Sequence, residues 1–529
     1  MKKNLWLTLM IFSLGVFILV ACSGGSQETS KTDDEEKTPD SEVTEAGDDN
    51  TTLTIAMGTD IVSFDVHDHL NTSTEAVHDN MFNYLFKRDN ETGEIKPELV
   101  DTYENIDETT WEFKLKEGVL FHNGDPLTTE DVKYSLERVA YDDGLRDHAN
   151  YRQIKEVEII DELNFKIITH NPEPALLNRI SRIGSGILPA KYIEENGFDH
   201  FLANPVGTGP YQFVEWVRDD RIVFEPFEDY FEGKVDTWEK VVFRVIPENS
   251  TRVNELLTGG VDIAVNVPPS EWERVDANDG TSMKSETSNR TLMLFLRSTE
   301  GYPTSDVRVR QAIDYAIDNK AITENVLNGA GTTTLTRVAP GNFGFHEDLY
   351  GKYNYDLEKA KALLEEAGYP DGFEMTLHSP RGRYLQDAQV AEMVGGMLAA
   401  VGIKVNIDFL EWSNFVEMRA AKTNKDAYML GLGNSMFDAD NALDWYRSAR
   451  FEGETDYKNE EVDRLLAEAV QNMDIEEREQ QYKQIQEILV EEVPHIILHQ
   501  ESINIGISDR INYTPTMDEM LYVPTVTKK

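Results

Sequence analysis

Residues 99–139, LVDTYENIDETTWEFKLKEGVLFHNGDPLTTEDVKYSLERV, decide how the rest of the chain is read. Trp111, Phe113 and Leu115 alternate with polar residues, which is the period of a half-buried strand. Asn123-Gly124-Asp125 supplies turn chemistry, because these residues accept a left-handed backbone and bond to it locally. Thr128 to Asp131 forms a Thr-x-x-acid box, a helix-start signature, with Val132, Leu136 and Val139 on one helical face. Strand, turn and helix are predicted, in a chain that mixes both kinds of element.

The same reading extends in both directions. Leu53 to Met57 alternates like a second strand, and His78 to Phe86 is predicted to be helical. Gly207-Thr208-Gly209-Pro210 is a tight turn ahead of a strand; it lacks the later glycine of a dinucleotide-binding loop. Asp356 caps a helix with Leu357, Ala360, Leu363, Leu364 and Ala367 on its inner stripe; Gly368 ends it and Pro370 blocks continuation. Glu460 to Ala469 and Ile475 to Glu492 are amphipathic, the second capped by Asp474 with Glu477 three residues on. A body of about 480 residues exceeds one ordinary core, so two or three domains are expected.

In sequence, 99–139 closely resembles the signature of the family 5 extracellular solute-binding proteins, the peptide, glutathione and nickel binders of ABC importers. Four more blocks follow in that family's order. They are NPVGTGPYQFVEW (204–216), SDVRVRQAIDYAIDNKAI (305–322), YNYDLEKAKALLEEAGYPDGFEMTL (353–377) and YKQIQEILVEEVPHIILH (482–499). The likeness covers essentially all of 51–529. It implies an α/β, two-lobed, periplasmic-binding-protein-like fold with a hinged interlobe cleft that encloses the solute. Lobe 1 is expected at 51–297 with a return at 500–529, an extra subdomain near 81–204, and lobe 2 at 298–499. The crossings are expected at Leu292 to Leu296 and at Ile496 to Ile507. The resemblance further implies a monomer without cofactor that delivers its solute to the transmembrane subunits of an ABC permease.

Cys22 is the only cysteine of the chain. It follows Lys2, Lys3 and an apolar run ending Leu19-Val20-Ala21, a secretory signal at 1–21 that is too short for a stable span. That ending resembles the bacterial lipobox, so Cys22 is expected to carry the lipid that anchors the mature protein to the cell membrane, facing outward. Two acyl chains anchor stably where one is marginal. Residues 23–50 hold ten acids and two lysines with almost no apolar content, and a disordered acidic tether over 22–50 is expected. The acidity continues into the body: the net charge is −47 for the whole chain. With no basic stripe to neutralise phosphates, nucleic acid is excluded as a partner.

Catalytic signatures are missing: the sequence has no P-loop, Gly-x-Ser-x-Gly elbow or His-Glu-x-x-His. No enzyme is expected; an extracellular hydrolase is the remote alternative. Asp65, His67, Asp68, His69 and His78 are close in sequence, but strand alternation splits them between faces, so no metal site is expected.

The solute question turns on GLGNSMFDADNALDWY (431–446), which matches a cleft segment of the family. In the dipeptide and oligopeptide binders an aspartate early in this segment grips the peptide's amine. Here that place carries Asn434, with Asp438 and Asp440 later, a run more similar to the glutathione and nickel branch. Ser379-Pro380-Arg381-Gly382-Arg383-Tyr384 resembles the same branch. Either arginine can seize an anion bidentately, or the segment is a surface loop. Arg290, beside a hinge strand, is a similar candidate, and Trp445 and Tyr446 either stack on the solute or pack in the core. The expected solute is a small peptide, glutathione-like included; a nickel complex, an oligosaccharide and an opine-like compound are the alternatives.

Overall fold

The computed structural model describes residues 50–89 and 93–529. The leader, Cys22 and nearly all of the tether lie outside the described residues. Among the described residues no helix is long and apolar enough to cross a membrane.

One mixed sheet of eleven strands runs through the body. In spatial order its strands are 404–410, 374–380, 427–432, 281–296, 495–508, 263–264, 52–57, 240–245, 221–226 and 211–217, and 331–332 adds to 495–508. At one end Thr52–Met57 runs parallel to Lys240–Val245; at the other Glu374–Pro380 runs parallel to Lys404–Leu410. The middle is antiparallel, carried by two long strands, Thr281–Leu296 and His495–Ser508. A separate four-stranded antiparallel sheet holds the opening strand prediction, Thr110–Leu115, between Val100–Asp107 and Asn164–Thr169.

Three apolar clusters define the mass around this framework. The first joins Leu53, Ile55, Phe82, Tyr211, Trp238 and Phe243 to Ile507 and Val523 near the C-terminus. The second gathers Leu292, Leu294, Ile313, Leu377, Val390, Met429 and Leu498. The third sits under the small sheet, where Val132, Leu136 and Val139 of helix Thr129–Tyr141 are wholly buried beside Phe113 and Phe165. Each such side chain contributes roughly 1.5–3 kcal/mol when fully buried. The molecule is α/β with two lobes, the chain leaving the first cluster for the second and returning to the first.

Local signals match the sequence where they are purely local. Thr128 and Asp131 form the reciprocal capping box. The Asp356 carboxylate accepts from the Glu358 and Lys359 amides, and Asp474 accepts from the Glu477 amide. Gly207 is required by close approach, since a Cβ there would lie 2.1 Å from the Met81 carbonyl oxygen.

The helix expected over His78 to Phe86 is displaced. It spans Thr72–His78, because the Asn71 side chain caps it by accepting from the Thr74 amide at 2.9 Å. Beyond it, the amide of Asn80 donates to the Ala76 and Leu521 carbonyls at 3.0 and 2.9 Å, and Asn83 donates to Glu98 at 3.0 Å. These side chains offer the backbone an alternative to helix. Phe86 opens the strand Phe86–Arg88 instead.

Candidate functional site

The two long central strands lose register midway. Thr287 pairs with Ser502 and Thr291 with Gln500, so Ser288, Asn289 and Arg290 bulge out. Bulges of this kind re-aim side chains beside functional sites. The freed Asn289 amide donates to the Met517 carbonyl at 3.0 Å, which ties the C-terminal segment to the bulge.

Over this bulge lies a cavity of about 350 Å3. Arg290, Asn434 and Phe437 line it together with Asp79, Tyr84, Arg88 and Arg182, and the C-terminal run Met517–Met520 completes the wall.

Most of the charges here are already paired. Arg182 is bonded to Glu75. Arg290 Nε lies 3.2 Å from Glu519 and 3.6 Å from Glu501, and an Nη donates to Thr72 Oγ1 at 3.2 Å. Burial pushes the Glu501 carboxyl up to about 7, against the pull of Arg290. Lys87 reaches Glu232 at 2.9 Å and Glu98 at 3.6 Å.

Three titratable groups of the cavity wall have no such partner. Asp79 accepts a hydrogen bond from Tyr84 Oη at 3.1 Å, yet among the described residues no cation is in ion-pair range. Burial first, and then the charge of Asp518, push its carboxyl up to about 8. Among the described residues Asp518 accepts from Thr516 Oγ1 and from the Met520 amide, and burial raises it too. Arg88 donates to Asn178 Oδ1 at 2.6 Å and lies 4.2 Å over the Phe437 ring, with no carboxylate in ion-pair range among the described residues.

The residues expected to bind solute are spread over several settings. Arg290 and Asn434 line the cavity. Asp438 is held bidentately by Arg478 at 2.7 and 2.9 Å and caps helix Ala439–Leu443. Asp440 is paired with Arg179 at 2.5 Å, and both side chains are buried. Trp445 packs against Phe295 and Phe451, and Tyr446 against His495, so both serve the core.

The arginine pair does not reach the cavity. Arg381 and Arg383 are exposed, the first 4.3 Å over Phe409, the second 5.1 Å from Tyr384 and Trp412. Their loop is fixed by Asp387, which accepts from the amides of Gly382, Arg383 and Tyr384. Tyr384 is buried against Gly431, where a Cβ would sit 2.6 Å from its ring, and donates to the Gly431 carbonyl at 3.2 Å. The Asp387 clamp thus fixes the loop's backbone while both guanidinium groups stay at the surface. Both arginines can be tested directly. Arg381→Ala and Arg383→Ala are expected to leave solute affinity within about twofold, as for surface substitutions generally; calorimetry with the bound solute checks it.

Asp79, Tyr84, Arg88, Arg182, Asp518 and Glu519 were not anticipated from the sequence. The last two are carried to the cavity by the C-terminal segment. Among the described residues no group of three His, Cys, Asp or Glu side chains is placed to hold a metal. His69 and His78 touch at 3.3 Å, while Asp65 and His67 both engage Arg138.

A two-lobed α/β body around a polar cavity, walled from both lobes and from the returning C-terminus, is the architecture of extracytoplasmic solute-binding proteins. The family model described as bacterial extracellular solute-binding proteins, family 5 Middle, matches residues 94–453, and the chain belongs to that family. It is therefore a transport binding protein and not an enzyme. The glutathione-binding protein GsiB of Escherichia coli (strain K12) is 28% identical over 466 residues, covering 85% of this chain and 89% of that one. Periplasmic binding protein DppA from Helicobacter pylori, in complex with peptide STSA, is 25% identical with a TM-score of 0.77, covering 90% and 98%. The binding protein AgaA from A. tumefacien R10, in complex with agropinic acid, is 26% identical with a TM-score of 0.77, covering 90% and 99%.

Proposed function

We propose that the chain is a lipid-anchored receptor of an ABC importer that captures small peptides, glutathione-like ones included, and hands them to the permease. The cavity of about 350 Å3 between the lobes carries this reading, because charged groups of both signs line it opposite the uncharged Asn434, Ser435 and Phe437. Its volume lies near the low end of the ~300–1,000 Å3 of small-molecule pockets, which suits a compact solute better than a long peptide. We divide the chain as lobe 1 at 51–297 and 500–529, with its subdomain at 81–204, and lobe 2 at 298–499. A solute that touches both lobes biases them toward the closed arrangement, which docks on the transmembrane subunits as a monomer. An opine-like solute is the second reading, favoured by the likeness to AgaA.

Native mass spectrometry of the protein purified without denaturation tests the proposal. A retained peptide supports it; a retained sugar or metal complex, with no affinity for any di- to tetrapeptide, removes it. Anchoring is tested separately. Cys22→Ser is expected to move the protein from the membrane fraction to the medium or periplasm, and an unchanged membrane fraction would count against the lipid.

A further inference from the structure

The segment 434–440 is fastened to side chains that lie 260 and 261 positions earlier in the chain. One Arg179 Nη donates to Asp440 at 2.5 Å and the other to Met436 Sδ at 3.4 Å. Asn178 Nδ2 donates to Asp438 Oδ2 at 3.3 Å, and the Arg88 guanidinium lies 4.2 Å over the Phe437 ring. The Arg179 and Asp440 side chains are only 8% and 10% exposed, so bulk ions screen this pair little. The seam borders the cavity. Arg88, Ser181 and Arg182 next to one bank, and Gly433, Asn434, Ser435 and Phe437 of the other, are all cavity-lining residues.

Each charged group of the seam except Asp440 holds a second partner on its own bank. Arg179 Nε donates to Glu173 at 3.1 Å, and an Nη donates to the Asn150 carbonyl at 3.2 Å. Asp438 keeps both oxygens on Arg478, at 2.7 and 2.9 Å. Arg88 donates to Asn178 Oδ1 at 2.6 Å and to the Gly93 carbonyl. Breaking a buried ion pair is costly chiefly when it leaves a buried charge uncompensated. Parting these banks leaves none: Arg179 goes with Glu173, Asp438 stays with Arg478, and Asp440 passes to water. Such a joint can open and reseal.

We propose that this seam is a latch that holds the cavity shut without solute. The Arg179–Asp440 pair, backed by Asn178–Asp438 and Arg88–Phe437, keeps most of the empty protein closed, and solute enters through the minority whose seam has parted. This rests on the reading of the cavity as a solute site and on the lobe division proposed above, which assigns the two banks to different lobes. A latched empty form slows capture, because only the open fraction accepts solute, and it slows escape equally of what has been captured.

Small-angle X-ray scattering on the protein from residue 23 onward, freed of solute by unfolding and refolding, tests the latch with no ligand present. Asp440→Asn keeps the side-chain shape and leaves Arg179 on Glu173, so only the charge across the seam is lost. Its empty form is expected to have a larger radius of gyration than the empty parent. Asn178→Ala leaves every ion pair intact and is expected to shift the radius the same way by less; it carries the test if Asp440→Asn folds poorly. An unmoved radius in both variants, or a lower urea midpoint without expansion, overturns the proposal, because the pair is then only structural. Stopped-flow mixing with Gly-Leu is expected to show association at least about threefold faster with Asp440→Asn than with the parent. Association no faster in an expanded variant overturns entry through the seam. If neither Gly-Leu nor reduced glutathione binds any form while the radius does shift, the solute reading falls and the latch stands.

Discussion

Arg478→Met is expected to lower the unfolding free energy by about 3–5 kcal/mol, read as a drop in the urea midpoint at constant slope. The guanidinium is buried to 4% exposure and its Asp438 partner to 1%. Its two Nη groups hold both oxygens of Asp438, and its Nε donates to the Ala469 carbonyl at 3.1 Å. The charge also lies 4.5 Å over the Phe343 ring. Methionine fills much of the volume but leaves Asp438 as an uncompensated buried charge, the costly way of breaking such a pair. The pair itself need not be strongly stabilising, so Asp438→Asn combined with Arg478→Met is expected to recover part of the loss. A single variant as stable as the parent would show that water reaches Asp438.

A second large effect is expected in acid, and His499→Gln isolates it. His499 is wholly buried in the strand His495–Ser508, and neither ring nitrogen has a hydrogen-bond partner. Burial pushes its pKa down to about 4. The unfolded imidazole, near 6.5, gains its proton first, so this histidine's contribution is intact above about pH 6.5 and fades as pH falls toward 4. At pH 4 the folded parent is expected to have lost about 3 kcal/mol, relative to neutral pH, that His499→Gln keeps. Urea unfolding of both proteins at pH 7 and pH 4 measures this difference, and parallel pH profiles would refute it. Asp79 acts in the opposite sense. Its raised pKa of about 8 stabilises the empty protein in acid and withdraws that support as pH climbs through 8.

How much of this could be read beforehand follows the range of each interaction. Asp356, Asp474 and Thr128 act within three residues, and each caps the helix assigned to it. The apolar run Leu292 to Leu296 is a buried strand in the sheet centre. Failures occur where a partner is remote. Asp438 is claimed by Arg478, 40 residues on, and Asp440 by Arg179, 261 residues back; no local pattern distinguishes those aspartates from solute ligands. Arg381 and Arg383 looked free because the Asp387 clamp acts through backbone amides, which carry no sequence mark. The displaced helix at 72–78 was missed because Asn80 and Asn83 bond to the C-terminal segment and to Glu98, surroundings that only the fold creates.

The shared central strands carry a consequence for dissecting the molecule. Thr281 to Thr287 bond to 502–508, and Thr291 to Leu296 bond to 427–432 and 495–500, on either side of the bulge. Severing the chain at the bulge would leave each fragment with raw strand edges and a core stripped on one side. Neither portion can serve as a free-standing module, so grafting one portion onto a foreign scaffold must carry both ribbons along.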